Sequence, residues 1–316
     1  MKAIGIDIGG TFIKFAAADE RGNIIKKTAI RTDSALSKER FLGAIAAVVN
    51  AWKKEFKTKD FVLGVGLPGD TDHIKGILRW APNIPWRNLK VAQYLRQKTG
   101  CRCFVSNDAT MAAWGAHAKE FKSKYKDLII VTMGTGIGGG IIADGCLYHG
   151  ADGCAGELGH VKIDYSPKAP LCGCGARGCL EAFCGAKGIR RQAKEAALKY
   201  PRSILAKMIK EQQFSVKLLS DAAACGDKAA KEVWHGVGHY LGRGIAAMVL
   251  FFNPQAVVLA GGVSRGAKYF MPGVKEVMAA QKVKTPFKNL KILISKESDI
   301  GALGAALYAQ VKADEK

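Results

Sequence analysis

The residues best suited to chemistry lie together in the segment 156–184, which reads GELGHVKIDYSPKAPLCGCGARGCLEAFC. Cys172, Cys174 and Cys179 form a C-x-C-x4-C pattern, and His160 precedes them. Three thiolates and one imidazole make a complete ligand set for a closed structural zinc site. Glycines between the cysteines allow the tight backbone turns that direct several side chains at one ion. The segment therefore predicts a zinc-bound loop.

The alternatives to zinc in this segment are half of a disulfide framework and an ordinary loop that contains the glycines. The C-x-C pair is also compatible with half of a disulfide framework, but the chain has an odd number of cysteines, nine, and no secretory signal. His160 alone would more often be an ordinary core or surface histidine, and the cysteine spacing favours a ligand. The carboxylates of Glu157 and Glu181 flank the set, so the metal would hold both close to His160.

Length and composition are those of an ordinary globular protein. A chain of 316 residues is expected to form two domains. Hydrophobic residues make up 48% and charged residues 24%. The chain has no uninterrupted apolar run of the roughly 18 residues that a membrane span needs. The N-terminal segment carries Asp7 and lacks a cleavage site of small residues, so we expect no signal peptide and a cytoplasmic location.

The net charge of +21 is compatible with nucleic acid, with polyanionic substrates, or with a generally basic set of cellular proteins. The lysines are scattered along the chain. The densest run, HAKEFKSKYKD at 117–127, is typical of a solvated helix end and loop. Aromatic residues are not interleaved with the charges as they are in proteins that stack single strands. We therefore expect no nucleic-acid partner.

Hydrophobic periodicity predicts alternating strands and helices. KAIGIDI, FIKFAAAD and NIIKKTAI are strands, and residues 35–56 form an amphipathic helix. A buried strand ends in GLPG, and Asn107-Asp108 lie where another strand runs into a helix. A long helix is expected over 227–252 and a small-residue helix at the C-terminus. His235 and His239 share one face of the long helix, where a metal pair is possible but no third ligand is evident.

An internal repeat relates residues 4–19 to residues 129–144 with a constant offset. Each copy is a strand, a glycine turn and a second strand. Two such hairpins predict two similar α/β domains facing a cleft, although chance similarity between glycine-rich hairpins is the alternative.

The second copy also contains G-x-G-x-x-G at Gly134, Gly136 and Gly139. A dinucleotide fingerprint requires the last glycine to open a helix, whereas here it opens a strand, so we reject that interpretation. The sequence also lacks the G-x4-G-K-[ST] motif of a P-loop. The remaining prediction is a set of glycine turns whose backbone N–H groups bind phosphate oxygens.

Eight motifs in order cover nearly the whole chain: IDIGGTFIK, GLPG, SNDA, MGTGIGGG, GELGH, CGCGARGCLE, LAGGVS and IGALGAALYA. On these motifs the chain resembles sugar kinases of the ROK family (repressor, open reading frame, kinase), within the actin-like ATPase superfamily. The resemblance implies an α/β protein with two actin-like ATPase (ribonuclease H-like) domains, whose mixed sheets flank a cleft. The small domain would be 1–108, completed by the helix 301–316. The large domain would be 109–300 and would contain the zinc-bound loop.

The resemblance also implies the site residues. Zinc would be bound by His160, Cys172, Cys174 and Cys179. The sugar would contact Asn83, Asn107, Asp108, Glu157, His160 and Glu181. ATP and Mg²⁺ would be held by Asp7, Gly9, Gly10, Thr11 and Lys14 in a first turn, by Gly134, Thr135, Gly136 and Gly138 in a second, and by Gly261 and Gly262 beside adenosine. The spacer between His160 and Cys172, VKIDYSPKAPL, leaves the orientation of the His160 ring open.

Phosphoryl transfer to a sugar hydroxyl supports these roles independently. The reaction needs a carboxylate to take the hydroxyl proton, with N–H groups and Mg²⁺ around the transferred phosphoryl group. Asp108 fits as the base, and Asp7 would hold magnesium through water. Each role has a structural alternative: Asp108 as a helix N-cap, Glu181 as a first-turn charge on a helix dipole, and Lys14 as a plain strand lysine.

The predicted function is an ATP-dependent hexokinase acting on the 6-hydroxyl of a hexose, with glucose preferred. The alternatives are an N-acetylmannosamine, mannose or fructose kinase, a polyphosphate-dependent glucokinase favoured by the basic charge, and a sugar-responsive transcriptional repressor. Such repressors carry a DNA-binding helix-turn-helix ahead of the first strand, which here starts at residue 2. We also expect a homodimer with a role in glycolysis. The sequence does not identify which hexose is the substrate, because epimers differ by one hydroxyl.

Overall fold

The computed structural model describes residues 1–33, 35–58, 60–81, 84–296 and 300–315. These residues form two compact units. The first unit consists of the described residues of 1–126, 140–156 and 297–316. The second consists of 127–139 and the described residues of 157–296.

The strands of the described residues are short. They are β1 (Lys2–Ile8), β2 (Phe12–Ala18), β3 (Ile24–Arg31), β4 (Phe61–Leu67), β5 (Asp70–Asp72), β6 (Ile77–Trp80), β7 (Cys103–Asn107), β8 (Leu128–Met133), β9 (Ile137–Ala143), β10 (Cys146–Tyr148), β11 (Ala256–Ala260) and β12 (Lys291–Ile294).

The α-helices range from single turns to one long helix. They are α1 (Lys38–Glu55), α2 (Val91–Thr99), α3 (Asp108–Gly115), α4 (Glu181–Cys184), α5 (Ala186–Lys199), α6 (Ile204–Lys210), α7 (Val216–Ala224), α8 (Lys228–Phe252), α9 (Ala267–Ala279), α10 (Thr285–Lys288) and α11 (Ile300–Asp314). A π-helical turn, Ala116–Glu120, continues α3.

Both five-stranded sheets are mixed and have the same pattern. One has the order β3-β2-β1-β4-β7, in which β3, β2 and β1 are antiparallel neighbours and β1, β4 and β7 run parallel. The other has the order β10-β9-β8-β11-β12, in which β10 and β9 are antiparallel and β8, β11 and β12 run parallel. The predicted α/β class with two mixed sheets is confirmed. The repeat is therefore structural, because each copy supplies two neighbouring strands at the same place in its sheet.

Small residues let α11 pack directly on the sheet of the first unit. Gly5 of β1 and Gly64 of β4 are register partners. A Cβ atom at Gly5 would collide with the carbonyl oxygen of Ala302, and one at Gly64 with that of Ala305. The predicted C-terminal helix is therefore confirmed, and side chains at these two strand positions would push it off the sheet.

Helix α1 shows how the apolar pattern selects a buried face. The side chain of Ser37 caps its N-terminus by accepting a hydrogen bond from the backbone N–H of Arg40 at 3.3 Å. Ile45, Val49 and Trp52 recur at helical spacing and are buried in the core of the first unit. The helix predicted over 35–56 is confirmed, and it begins at Lys38 because Ser37 satisfies the first free N–H groups.

Helix α3 packs against α11, so the first compact unit continues beyond residue 108. This division differs from the predicted domain limits, which place 109–300 together, and those limits stay a prediction. Within the described residues, no helix combines the length and the apolar character that crossing a membrane requires.

Candidate functional site

At the junction of β7 and α3, the N-cap of the helix is Asn107 and not Asp108. Asn107 is the N-cap of α3, and its Oδ1 accepts hydrogen bonds from the N–H groups of Ala109 and Thr110 at 2.9 and 3.2 Å. Its Nδ2 donates to the carbonyl oxygen of Gly69 at 3.1 Å, which ties the GLPG turn to the helix. Asp108 is the first helical residue and is half-buried. Asn107 fills the N-cap position, and Asp108 Oδ1 also accepts a hydrogen bond from the N–H of Ala109 at 2.8 Å.

The first glycine turn joins β1 to β2. Gly9 N–H donates to the carbonyl oxygen of Phe12 at 3.1 Å, and the Thr32 hydroxyl donates to the carbonyl oxygen of Gly9 at 2.7 Å. Gly10 and Thr11 at its tip are exposed. Asp7 and Lys14 are cross-strand register partners at the base of this hairpin. The turn therefore has a fixed base and an open tip.

A cavity of about 280 Å³ adjoins this tip. Its lining includes Gly10, Thr11 and Arg31. Sequence reasoning missed Arg31, because it closes an otherwise ordinary exposed strand and enters the lining only through the pairing of β3 with β2. Its guanidinium group is of the kind that binds phosphate oxygens, and the acidic residue Asp33 lines the same cavity.

The second glycine turn, between β8 and β9, is supported by a carboxylate. Glu181 Oε2 accepts a hydrogen bond from the backbone N–H of Ile137 at 3.0 Å. A Cβ atom at Gly136 would collide with that same oxygen. The N–H of Ala186, at the start of α5, donates to the carbonyl oxygen of Gly134 at 3.0 Å. The turn is therefore held by hydrogen bonds to Glu181 and Ala186, whereas Gly134 faces open space.

The third turn, after β11, contains two glycines with different constraints. Gly261 has a left-handed φ of +91°, and a Cβ atom there would collide with the backbone of Met133. The Ser264 hydroxyl donates to the Gly261 carbonyl oxygen at 2.7 Å. Gly262 has a right-handed conformation, and a Cβ atom there would meet nothing. Gly261 is thus fixed by the fold, whereas Gly262 borders open space.

The four predicted zinc ligands lie together in the second unit. The ligand atoms of His160, Cys172, Cys174 and Cys179 all lie within 4.8 Å of one another. The sulfurs of Cys174 and Cys179 are 3.8 Å apart, and Cys172 Sγ is 3.7 Å from His160 Nδ1. With Zn–S bonds of about 2.3 Å, two sulfurs on a tetrahedral zinc are about 3.8 Å apart. The spacing fits a tetrahedral ion, with Nδ1 as the nitrogen ligand of His160.

The protonation of the cysteines also bears on this donor set. Burial raises the pKa of the Cys172 thiol and that of the Cys179 thiol. The pKa of Cys174 is lowered, mainly because its sulfur accepts a hydrogen bond from the backbone N–H of Ala176. A bound cation would favour all three thiolates, which are the forms that bind metals.

Two carboxylates flank this cluster. Glu157 Oε2 lies 3.7 Å from His160 Nε2, the ring nitrogen that faces away from Cys172. Glu181 Oε1 lies 3.4 Å from Cys172 Sγ, while its other oxygen bonds to Ile137. The structure thus brings the predicted ligands, both glutamates and the second glycine turn into one arrangement. Asn83, also predicted to contact the sugar, lies outside the described residues.

The protein has two mixed sheets, three glycine turns and a Cys₃His cluster. These are the features of the α/β class of sugar kinases that the sequence resembles. The ROK family profile matches residues 3–312, so the chain belongs to the ROK family. It is 34% identical over 309 residues to a glucokinase of Thermotoga maritima, a match that covers 97% of this chain and 96% of that protein. It is 35% identical over 277 residues to a glucokinase of Halalkalibacterium halodurans, covering 86% and 84%.

A crystal structure of a ROK family glucokinase from Streptomyces griseus, in complex with glucose and AMPPNP, also resembles this chain. The TM-score is 0.82 at 29% sequence identity, and the match covers 98% of this chain and all of that one. The predicted membership of the ROK family is therefore confirmed.

Proposed function

We propose that this protein is an ATP-dependent hexokinase that phosphorylates the 6-hydroxyl of a hexose, with glucose as its main acceptor. The observation that carries the proposal is the half-buried Asp108 beside an N-cap already supplied by Asn107. A carboxylate is a side chain that can act as a general base. Similarity to glucokinases over nearly the whole chain, one of them bound to glucose and AMPPNP, supports the same activity.

In the proposed reaction the Asp108 carboxylate takes the proton of the sugar 6-hydroxyl. The hydroxyl oxygen forms a bond to the γ-phosphorus as the bond from phosphorus to the β–γ bridging oxygen breaks, which releases ADP. The sugar oxygen thus ends as a phosphate ester and the proton on Asp108. Because such a transition state spreads charge over phosphoryl oxygens, positioning and oriented donors matter more than covalent chemistry.

The glycine turns are proposed to hold the phosphates and adenosine. Backbone N–H groups at the open tips would donate to phosphate oxygens, and Arg31 would add a charged donor beside the first tip. Asp7, half-buried next to this turn, fits an outer-sphere ligand of Mg²⁺. The magnesium ion would neutralise the phosphate charge. Gly262 is proposed to lie beside adenosine, because it borders open space.

Sugar recognition is proposed to rest on Glu157, His160 and Glu181, with contributions from Asn107 and the undescribed Asn83. Carboxylates accept hydrogen bonds from sugar hydroxyls, and a ligating imidazole still offers its second nitrogen as a donor. Zinc on His160 and the three cysteines would be structural, because four protein ligands leave no open position. Its role would be to fix the ring of His160 and the loop that carries Glu181.

A coupled assay across glucose, mannose, fructose and N-acetylmannosamine, with ATP or polyphosphate as donor, tests the proposal. We expect the highest kcat/KM with glucose and Mg²⁺-ATP. Activity with polyphosphate and none with ATP would overturn the choice of donor, and the basic charge would then become the main clue. The homodimer, the cytoplasmic location and the role in glycolysis stay predictions, and light scattering of the purified protein tests the first of them.

A further inference from the structure

Helices α8 and α9 of the second unit carry a second group of side chains with metal-binding atoms. His235 and His239 lie one turn apart on α8, and Glu276 lies on α9. His235 Nε2 is 3.1 Å from Glu276 Oε1, and His239 Nε2 is 2.8 Å from Glu276 Oε2. The sequence supplied the two histidines without a third ligand. Helix packing now provides one.

The spacing of these atoms suits a small divalent ion. All three ligand atoms lie within 4.8 Å of one another. With Zn–N and Zn–O bonds of about 2.0–2.1 Å, ligand atoms on a tetrahedral ion are about 3.3 Å apart. The separations of 3.1 and 2.8 Å, each to a different oxygen of Glu276, are slightly shorter than that value, so the side chains would move apart slightly to admit an ion. Both ring nitrogens lie within hydrogen-bonding distance of one carboxylate, so an ion would take the place of these two contacts.

The backbone around the group is held in place by close helix packing. A Cβ atom at Gly273 would lie 2.6 Å from the carbonyl oxygen of His235 and 3.0 Å from the backbone nitrogen of His239. Helix α9 therefore contacts α8 at the two histidines themselves, one turn before Glu276. The three side chains are 38–54% exposed, so an ion in solution can reach them, and close packing of the two helices fixes the backbone from which they project.

We propose that His235, His239 and Glu276 form a second metal site, which binds a divalent transition metal ion of the zinc, nickel or copper class. Two imidazoles and one carboxylate are ligands that these ions accept. Three protein ligands leave a further position for water. The ion would link α8 to α9 and stabilise the folded protein by mass action, independently of the Cys₃His cluster, with which it shares no residue.

The test uses Ni²⁺ as the probe on the purified full-length protein. Isothermal titration should show a site in the wild type whose affinity falls about tenfold or more in His239→Ala and in Glu276→Gln, since loss of even an outer-shell partner costs about 10–100-fold. Ni²⁺ should also raise the thermal midpoint of the wild type more than that of either variant. Glu195→Gln, at an exposed glutamate of α5, is the matched control and should bind as the wild type does.

Two further measurements keep the result unambiguous. Cys174→Ser should retain the Ni²⁺ site, because the cysteine cluster is separate, and Co²⁺ bound at the new site should lack the thiolate charge-transfer bands of a cysteine site. Unchanged kinase activity in His239→Ala and Glu276→Gln would show that both remain folded. If the wild type binds no more tightly than these two variants, the proposal is wrong and the three side chains form only hydrogen-bonded pairs.

Discussion

Glu181 Oε2 accepts a hydrogen bond from the backbone N–H of Ile137 at 3.0 Å, while Oε1 of the same carboxylate lies 3.4 Å from Cys172 Sγ. One side chain therefore joins the cysteine cluster to the second glycine turn. The predicted sugar contact at Glu181 did not include this link. The carboxylate is thus positioned to influence the proposed phosphate binding as well as the proposed sugar binding.

Glu181→Ala should raise the KM for ATP as well as the KM for the sugar. Removing the acceptor leaves the N–H of Ile137 without its partner, and hydrogen bonds to charged groups contribute about 1.5–3 kcal/mol. We therefore expect the KM for ATP to rise about tenfold or more. The control is Glu157→Gln, which should raise mainly the KM for the sugar, because Glu157 faces His160. Equal KM values for ATP in wild type and Glu181→Ala would contradict this link.

The Cys₃His cluster should hold about one zinc ion per chain. Cys174→Ser should lose that zinc and weaken sugar binding before the fold is lost, because His160 and Glu181 depend on the loop whereas the rest of the unit has its own core. Elemental analysis of the purified protein and calorimetric titration with glucose are the measurements. Cys225→Ser is the control, since that exposed cysteine ends α7 and should leave the zinc content unchanged. Fully active protein without zinc would refute the assignment.

Gly134 and Gly261 should respond differently to a side chain. Gly134 faces open space, so Gly134→Val should keep its thermal midpoint and raise the KM for ATP by filling the room that the phosphates need. At Gly261 both the left-handed φ and the backbone of Met133 oppose a Cβ atom, so Gly261→Ala should lose about 1 kcal/mol or more of folding free energy. Gly262→Val tests adenosine binding at this turn better than Gly261→Ala does, because a Cβ atom at Gly262 would meet nothing in the fold. A normal KM for ATP in Gly134→Val would remove that turn from the nucleotide site.

Acid should destabilise the first unit through stacked histidines. The rings of His73 and His149 lie 4.1 Å apart at 12°. Burial, with a smaller effect from the charge of His73, lowers the pKa of His149 from 6.5 to about 4. Between these values the unfolded chain binds a proton that the folded chain does not, so stability is full above pH 6.5 and falls as the pH drops toward 4.

Denaturant unfolding at several pH values tests this dependence, with His149→Gln as the variant. The variant should lose less stability than the wild type between pH 7 and pH 5, because about one fewer proton is taken up on unfolding. His73→Gln should also reduce the dependence, because burial lowers the pKa of His73 as well, although the burial of His149 remains. Identical pH profiles for wild type and His149→Gln would show that other groups control the acid sensitivity.

The features that the sequence predicted well depend on local patterns or on ordered motifs. The zinc ligands are close in sequence, and the glycine hairpins repeat at a constant offset. The Cys₃His cluster and the matching sheets could therefore be predicted from the sequence. Gly5 broke the strand pattern for a reason visible only in three dimensions, because it makes room for Ala302 of the last helix.

The features that the sequence missed depend on packing between distant elements. Glu276 meets His239 only because α8 and α9 pack closely, and no periodicity in the chain relates the two positions. Arg31 borders the first turn only through the pairing of β3 with β2. Which of Asn107 and Asp108 caps α3 depends on side-chain geometry that either residue type permits.

Asp108→Asn should lower kcat by about 10²–10⁴-fold while sugar affinity changes little, because the amide keeps the shape but cannot take a proton. Its stability should stay near that of the wild type, since Asn107 supplies the cap. Asn107→Ala should show the opposite pattern: a loss of about 0.5–2 kcal/mol of folding free energy, with a smaller effect on kcat in the surviving folded protein. Steady-state kinetics, glucose titration and thermal unfolding of the two variants separate the roles. If Asp108→Asn turned over at nearly the wild-type rate, the base would have to be another residue and Asp108 would be only a first-turn helix charge.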